Sequence, residues 1–177
     1  MSLIVEDGSG VVAAASYVAV VTADAYYTAR PQLALSVTWA AATDANKEGA
    51  LREASAFCDA VYGEFYIGRR MGYVQGLLWP RTDALDAGGY ELPAVPPELV
   101  SAVCELAGRA VSSPLAVDVD RGGEIKRISK ALGPLKKDIE YFEAASLHKS
   151  YGFVSGMLAT IMNGSQPGAT GSSWNWK

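Results

Sequence analysis

Two stretches of the chain repeat apolar residues at helical spacing. In the first, Ala50, Leu51, Ala54, Phe57, Cys58, Val61 and Tyr62 draw one apolar stripe, and Asp44, Lys47, Glu48, Arg52, Glu53 and Asp59 fall mostly off it. That arrangement predicts an amphipathic helix. Thr43 occupies the N-cap position, with Asp44 in the first turn near the positive end of the helix dipole. Gly63 is expected to end the helix in a left-handed turn. In the second stretch Leu99, Val100, Val103, Cys104, Ala107, Ala110 and Val111 form the stripe. Pro97 suits the first turn, where its missing N–H costs nothing, and Pro114 closes the segment.

The remaining pattern is weaker. Residues 16–21 are rich in β-branched and aromatic side chains and read as extended. Thr22 is expected to cap a short helix with Asp24 in its first turn, ended by Pro31. A loop over 32–36 then leads to Trp39, a core anchor. Residues 64–81 form a connector with aromatics and the adjacent Arg69 and Arg70. Within 77–100, Trp79 and Tyr90 read as core anchors. Gly88-Gly89 permit a turn, and Pro93, Pro96 and Pro97 fix the start of the second long helix. Residues 125–132 and 135–142 flank Gly133-Pro134 and predict a β-hairpin, although the alternation is imperfect. A short apolar segment near 150–163 reads as a last helix weakened by two glycines. From Gly164 the chain is polar until it ends in Trp174-Asn175-Trp176-Lys177. The expected fold is therefore mainly α: a small helical bundle with a protruding β-hairpin at about 124–142 and an extended C-terminal tail. Residues 1–163 form one domain, and 164–177 a flexible tail.

Length and composition add bounds. At 177 residues, one domain can bury roughly 70% of its unfolded surface. Charged residues make up 19%, below the usual quarter, which leaves room for protein contacts. The net charge of −4 is unevenly spread. Residues 1–120 carry 7 basic and 15 acidic side chains, whereas 121–149 carry 7 basic and 4 acidic. Such asymmetry marks either a surface for an acidic partner or nucleic acid, or a solvated lysine-rich hairpin. Cys58 and Cys104 each fall in an apolar helical pattern and read as small buried hydrophobes, which suits a reducing compartment. Glu6 and Asp7 stand where a secretion signal needs basic residues, and the apolar run 11–21 is too short to span a bilayer. No membrane role is expected.

Candidate chemistry is sparse. His148, the only histidine, has no second histidine or nearby cysteine to complete a metal set. Neither the Gly-rich turn at 7–10 nor that at 121–124 has the Lys-Ser/Thr that follows a phosphate loop. Asp83, Asp86 and Glu91 sit among turn residues, where Asp bonds its own backbone. No catalytic, metal or cofactor residues are assigned, and no enzyme is expected. The partner-binding candidates are Lys126, Arg127, Lys130, Lys136 and Lys137 of the basic hairpin, with Tyr141 and Phe142 nearby, and Trp174 and Trp176 of the tail. Single-strand binders combine basic grooves with stacking aromatics. A pI near 5.0 argues against a dedicated binder, and the alternative is a hairpin facing solvent or an acidic protein.

The order of motifs resembles that of tailed-bacteriophage head–tail connector or adaptor (neck) proteins, of the type often labelled DnaT-like. The resemblance covers roughly 1–163. Its most specific element is the Trp79-Pro80-Arg81, Gly89-Tyr90-Glu91 and Pro97-Glu98-Leu99-Val100 series. It implies a structural virion protein at the head–tail interface, made in the host cytoplasm. Such a protein forms a ring, commonly of twelve copies, under the portal and extends the DNA channel. The implied partners are the portal protein, a downstream neck or tail protein, further copies of the chain, and genomic DNA that passes without sequence-specific binding. No cofactor is implied. The tail departs from that pattern. The alternative reading is a single-stranded DNA-binding replication accessory protein that uses the basic hairpin.

Overall fold

The computed structural model describes residues 2–116, 125–131, 136–141 and 151–163. In chain order these form α1 (Val20–Thr28), α2 (Ala34–Ala41), α3 (Asp44–Tyr62), a 3-10 turn (Gly63–Phe65), β1 (Arg69–Arg70), β2 (Arg81–Thr82) and α4 (Pro97–Ala110). The hairpin strands β3 (Ile125–Ala131) and β4 (Lys136–Tyr141) follow, then α5 (Gly152–Leu158) with a closing 3-10 turn (Ala159–Ile161). The fold is mainly α. Its strands make two separate two-stranded antiparallel pairs, β1–β2 and β3–β4.

The two long helices predicted from periodicity pack on each other and build the core. Thr43 caps α3, its hydroxyl accepting from the Asn46 amide at 3.3 Å. Leu51, Ala54, Cys58 and Tyr62 from α3 and Leu99, Val103, Leu106 and Ala107 from α4 are buried. Pro97 stands at the first position of α4, as its ring geometry favours. Helix α5 adds Val154 and Leu158 to the same core, and Ile161 follows from its closing turn. Trp39 and Trp79 are buried, and so are both cysteines, which are free thiols. Burial pushes the Cys58 thiol well up and the Cys104 thiol up to about 12, so neither is a nucleophile at neutral pH.

Several local expectations are corrected. Helix α1 begins at Val20, with Ala19 as an N-cap that makes no side-chain bond, so Thr22 is not its cap. The start is set upstream: Val5 bridges Ser16, and the Ser16 hydroxyl bonds both the carbonyl and the amide of Val18. Asp24 lies outside the first turn and instead accepts from Trp39 Nε1 at 2.7 Å and Lys47 Nζ at 2.8 Å. Residues 34–36 belong to α2 rather than to a loop, and Ser36 Oγ donates to the Arg30 carbonyl at 2.6 Å to seat that helix. Gly63 is right-handed, and α3 runs on into the 3-10 turn. A Cβ there would run into the end of the Leu78 side chain, which would have to shift to admit a larger residue. Tyr90 is 74% exposed rather than a core anchor. The Asp86 carboxylate takes the amides of Gly88 and Tyr90 at 2.8 Å each, and Gly89 has φ +81°, so a tight turn carries the ring outward. Gly133-Pro134 and the 164–177 tail lie outside the described residues.

At the N-terminal end, Glu6 is buried and closes the loop that follows it. Its two carboxylate oxygens accept from the amides of Gly8, Gly10 and Val11, each at 2.9 Å. Helix α4 meets α1 even more closely. Tyr27 stacks on Trp39 with ring centroids 5.1 Å apart, and its hydroxyl donates to the Cys104 carbonyl beside Gly108. A Cβ on Gly108 would strike the Tyr27 hydroxyl and lie 2.9 Å from Cζ and 3.2 Å from Leu35 Cβ. Alanine favours a helix by about 1 kcal/mol over glycine, yet Gly108→Ala should lower stability by about 1–3 kcal/mol through overpacking. Urea denaturation checks this; an unchanged or raised midpoint would contradict the close approach.

Candidate nucleic-acid interface

The hairpin gathers the cations. Its ladder pairs Arg127 with Glu140, Ile128 with Ile139, Ser129 with Asp138, Lys130 with Lys137 and Ala131 with Lys136. An irregularity between Ile125 and Arg127 breaks the register at Lys126. The two strands thus carry Lys126, Arg127, Lys130, Lys136 and Lys137 against Asp138 and Glu140.

The cations of residues 1–120 are differently placed, because each has an internal partner. Arg30 lies over the Tyr26 ring, 3.7 Å from its centroid. Lys47 pairs with Asp24, Arg52 with Glu48, Arg69 with Asp83 and Arg109 with Glu105. Arg70 and Arg81 are held by backbone carbonyls. The acidic excess of this part of the chain therefore remains on it.

Residues 66–82 form a strap along the core. Strands β1 and β2 have only two residues each, too few to fix a ribbon by ladder bonds alone. Arg81 does so instead. Its guanidinium donates to the carbonyls of Ile67 at 2.7 Å, Gly68 at 2.7 Å, Tyr66 at 3.3 Å and Leu78 at 3.5 Å. Asp59 of α3 ties the strap to the core. It accepts from the Leu78 amide at 2.9 Å and from the Tyr17 hydroxyl at 2.6 Å, and that hydroxyl accepts from the Trp79 amide at 3.1 Å. Beyond β1 the loop over 71–76 is closed by the buried Gln75. Its Oε1 accepts from the Gly72 amide at 2.7 Å, and its Nε2 donates to the carbonyls of Leu77 at 2.8 Å and Pro80 at 3.1 Å. Tyr73 at the loop tip is 93% exposed.

Catalytic geometry does not assemble around the acids considered from sequence. Asp83 has φ +56° and pairs with Arg69, while Asp86 is occupied by its own turn. Among the described residues no group of three or more His, Cys, Asp or Glu side chains could hold a metal ion. An open groove between α1 and α2, lined by Asp24, Tyr27, Trp39 and Lys47, presents one carboxylate. Burial raises the Asp24 carboxyl, but its bonds from Lys47 and Trp39 outweigh that and hold it below the usual range. No helix among the described residues is long and apolar enough to cross a membrane. Periodicity gave no warning of Arg81, which reads as one more surface arginine, or of Tyr73, which sits in no regular pattern. His148, Trp174 and Trp176 lie outside the described residues.

A helical body with an acidic excess and a cation-rich antiparallel arm is the class of structure these elements define. The chain belongs to the family described as "Putative DnaT-like ssDNA binding protein", whose model matches residues 1–174. No curated protein and no solved structure matches it. The match overturns the head–tail connector assignment, together with the virion role, the ring under the portal and the portal and tail partners expected from it. It also overturns the view of DNA as a passenger in a channel, since the family is described by binding single-stranded DNA. The resemblance rested on motif order, a thinly charged surface and projecting segments, none of which separates a ring subunit from a DNA binder. The charge segregation does bear on that choice. The match also takes in most of the tail, which the connector pattern left out.

The strap's anchor titrates. Burial pushes the Asp59 carboxyl up from 3.8 to about 6, against the bonds from Tyr17 and Leu78 that favour its ionised form. A raised folded-state value means that the neutral acid contributes stability fully below about pH 4, and that this is lost as pH rises through about 6. Asp59 keeps some solvent contact, so the effect is on the order of 1–2 kcal/mol. The stability of Asp59→Asn relative to the parent should therefore rise by that amount from pH 4 to pH 7. Denaturation at several pH values measures it; a difference that falls over this range would show that the fold favours the carboxylate.

Proposed function

We propose that the chain binds single-stranded DNA without catalysis, and that the β3–β4 hairpin supplies the phosphate contacts through Lys126, Arg127, Lys130, Lys136 and Lys137. The family match carries this reading. The charge layout supports it. The cations of residues 1–120 are committed internally, whereas the hairpin concentrates five basic residues and sets two lysines opposite each other. Phosphate contacts dominate such affinity and make it depend on salt. With a pI near 5.0, the rest of the chain opposes a polyanion, so binding should be modest and confined to low or moderate salt.

Fluorescence anisotropy with a labelled oligothymidine at two or more salt concentrations tests the proposal. Binding should weaken steeply with salt. Lys130→Ala with Lys137→Ala should reduce the slope of log K against log salt by about 1.4, at about 0.7 per phosphate contact on a single strand. No binding by the parent protein at low and moderate salt would remove the reading.

Trp174 and Trp176 are proposed to stack on bases in the same complex. The chain has four tryptophans, and Trp39 and Trp79 are buried in the core. Quenching of intrinsic fluorescence by an oligonucleotide therefore reports on the tail pair, and should disappear in Trp174→Phe with Trp176→Phe. Quenching that persists in that variant would exclude the tail as the stacking site.

A further inference from the structure

Two tyrosines stand out from the body almost bare, Tyr73 at 93% and Tyr90 at 74% exposure. Their surroundings differ in sign. Tyr90 lies on the turn organised by the Asp86 carboxylate and is followed by Glu91, so a phosphate near it meets negative charge. Tyr73 lies on the loop that leaves β1, next to Arg69 and Arg70. Arg69 is paired with Asp83 in an exposed ion pair. Arg70 is also exposed, and its Nη2 donates to the carbonyls of Tyr73 at 3.2 Å and Gln75 at 3.0 Å. Asp59 feels the charge of Arg70, but it hydrogen-bonds Tyr17 and Leu78 and not this guanidinium, whose own bonds go to carbonyls that orient it without cancelling its charge, so Arg70 brings positive charge to the base of the loop.

The loop is built to hold that ring in solvent. Gln75 closes it from within, Arg70 clamps two of its carbonyls, and the Gly76 amide donates to the Val11 carbonyl at 3.1 Å. Its flanks, Met71 and Val74, are exposed apolar side chains. A rigid loop that spends its hydrogen bonds on presenting an aromatic ring beside a cation has the make-up of a stacking platform. Every nucleobase offers a π-face to such a ring, and the neighbouring cation meets the phosphate between bases. Little ordering is left to be done on binding.

We propose that Tyr73 stacks on a base of bound single-stranded DNA, with Arg70 at the adjoining phosphate, as a contact site in the helical body separate from the hairpin. The proposal rests on the single-stranded DNA reading above. The experiment compares the parent protein with Tyr73→Ala, Tyr73→Phe and Tyr90→Ala, using anisotropy with labelled oligothymidine across a salt series. Tyr73→Ala should weaken binding about ten-fold or more and leave the salt slope unchanged, because the lost contact is not ionic. Tyr73→Phe should bind like the parent, and Tyr90→Ala likewise. The side chain is almost fully exposed, so thermal unfolding of Tyr73→Ala should match the parent. An oligonucleotide carrying 5-iododeoxyuridine should photocross-link to Tyr73, located by mass spectrometry of the digested complex. Oligonucleotide binding by the parent with no loss in Tyr73→Ala would overturn this inference alone, and would leave the exposed loop to a protein partner. Equal losses in the Tyr73 and Tyr90 alanine variants would overturn it too, since the arginines would then confer nothing. No binding by the parent would overturn both this inference and the reading beneath it.

Discussion

Arg81 holds together the part of the molecule that secondary structure leaves loose. Between α3 and α4 the chain runs for more than thirty residues with one 3-10 turn and two two-residue strands to regularise it. One half-buried guanidinium binds the carbonyls of Tyr66, Ile67, Gly68 and Leu78, and so draws the two ends of the strap together. A planar fork of five donors can do this; a lysine ammonium has neither the donors nor the fixed geometry. Everything mounted on the strap inherits that order: the buried Trp79 and the closed loop with Tyr73. The Asp59–Tyr17 pair then fastens the strap to α3, and burial makes its carboxyl favour the neutral form, so the fastening costs more as pH rises through about 6.

The two long helices were legible because their signal is periodic and their caps are chemical. The apolar stripe of α3, its Thr43 cap and the Pro97 start of α4 all stand as the spacing implied. The misreadings share a physical cause. Helix α2 is eight residues of mostly small and apolar type and is almost apolar all round, so it has no stripe to detect. Helix α1 starts where a preceding extended bridge releases the chain, without a capping side chain. Tyr90 looked like core by residue type, but a local turn decided its direction. Arg81 could not be found from sequence at all, because its role depends on carbonyls up to 15 positions away.

Function was less legible than fold. The sequence carries no recognisable catalytic, metal or phosphate-loop signature to read, and its motifs left a connector and a DNA binder side by side. What separates them physically is the disposition of charge, and that requires knowing which cations are already spent. Seven basic residues in each half of the count look equivalent on paper. In the fold, those of residues 1–120 are paired with carboxylates, stacked on rings or bound to carbonyls.

The buried Glu6 shows the same economy at the N-terminal end. Three backbone amides converge there on one point, in a loop with left-handed glycines at positions 8 and 10. Such concave rings of N–H groups are how many proteins seize a phosphate without any basic side chain. Here the concavity comes ready filled by the chain's own carboxylate. The molecule has folded its own anion into this nest, as the Asp86 carboxylate does on a smaller scale at the Gly88–Tyr90 turn, so these amides are closed to a phosphate arriving from outside.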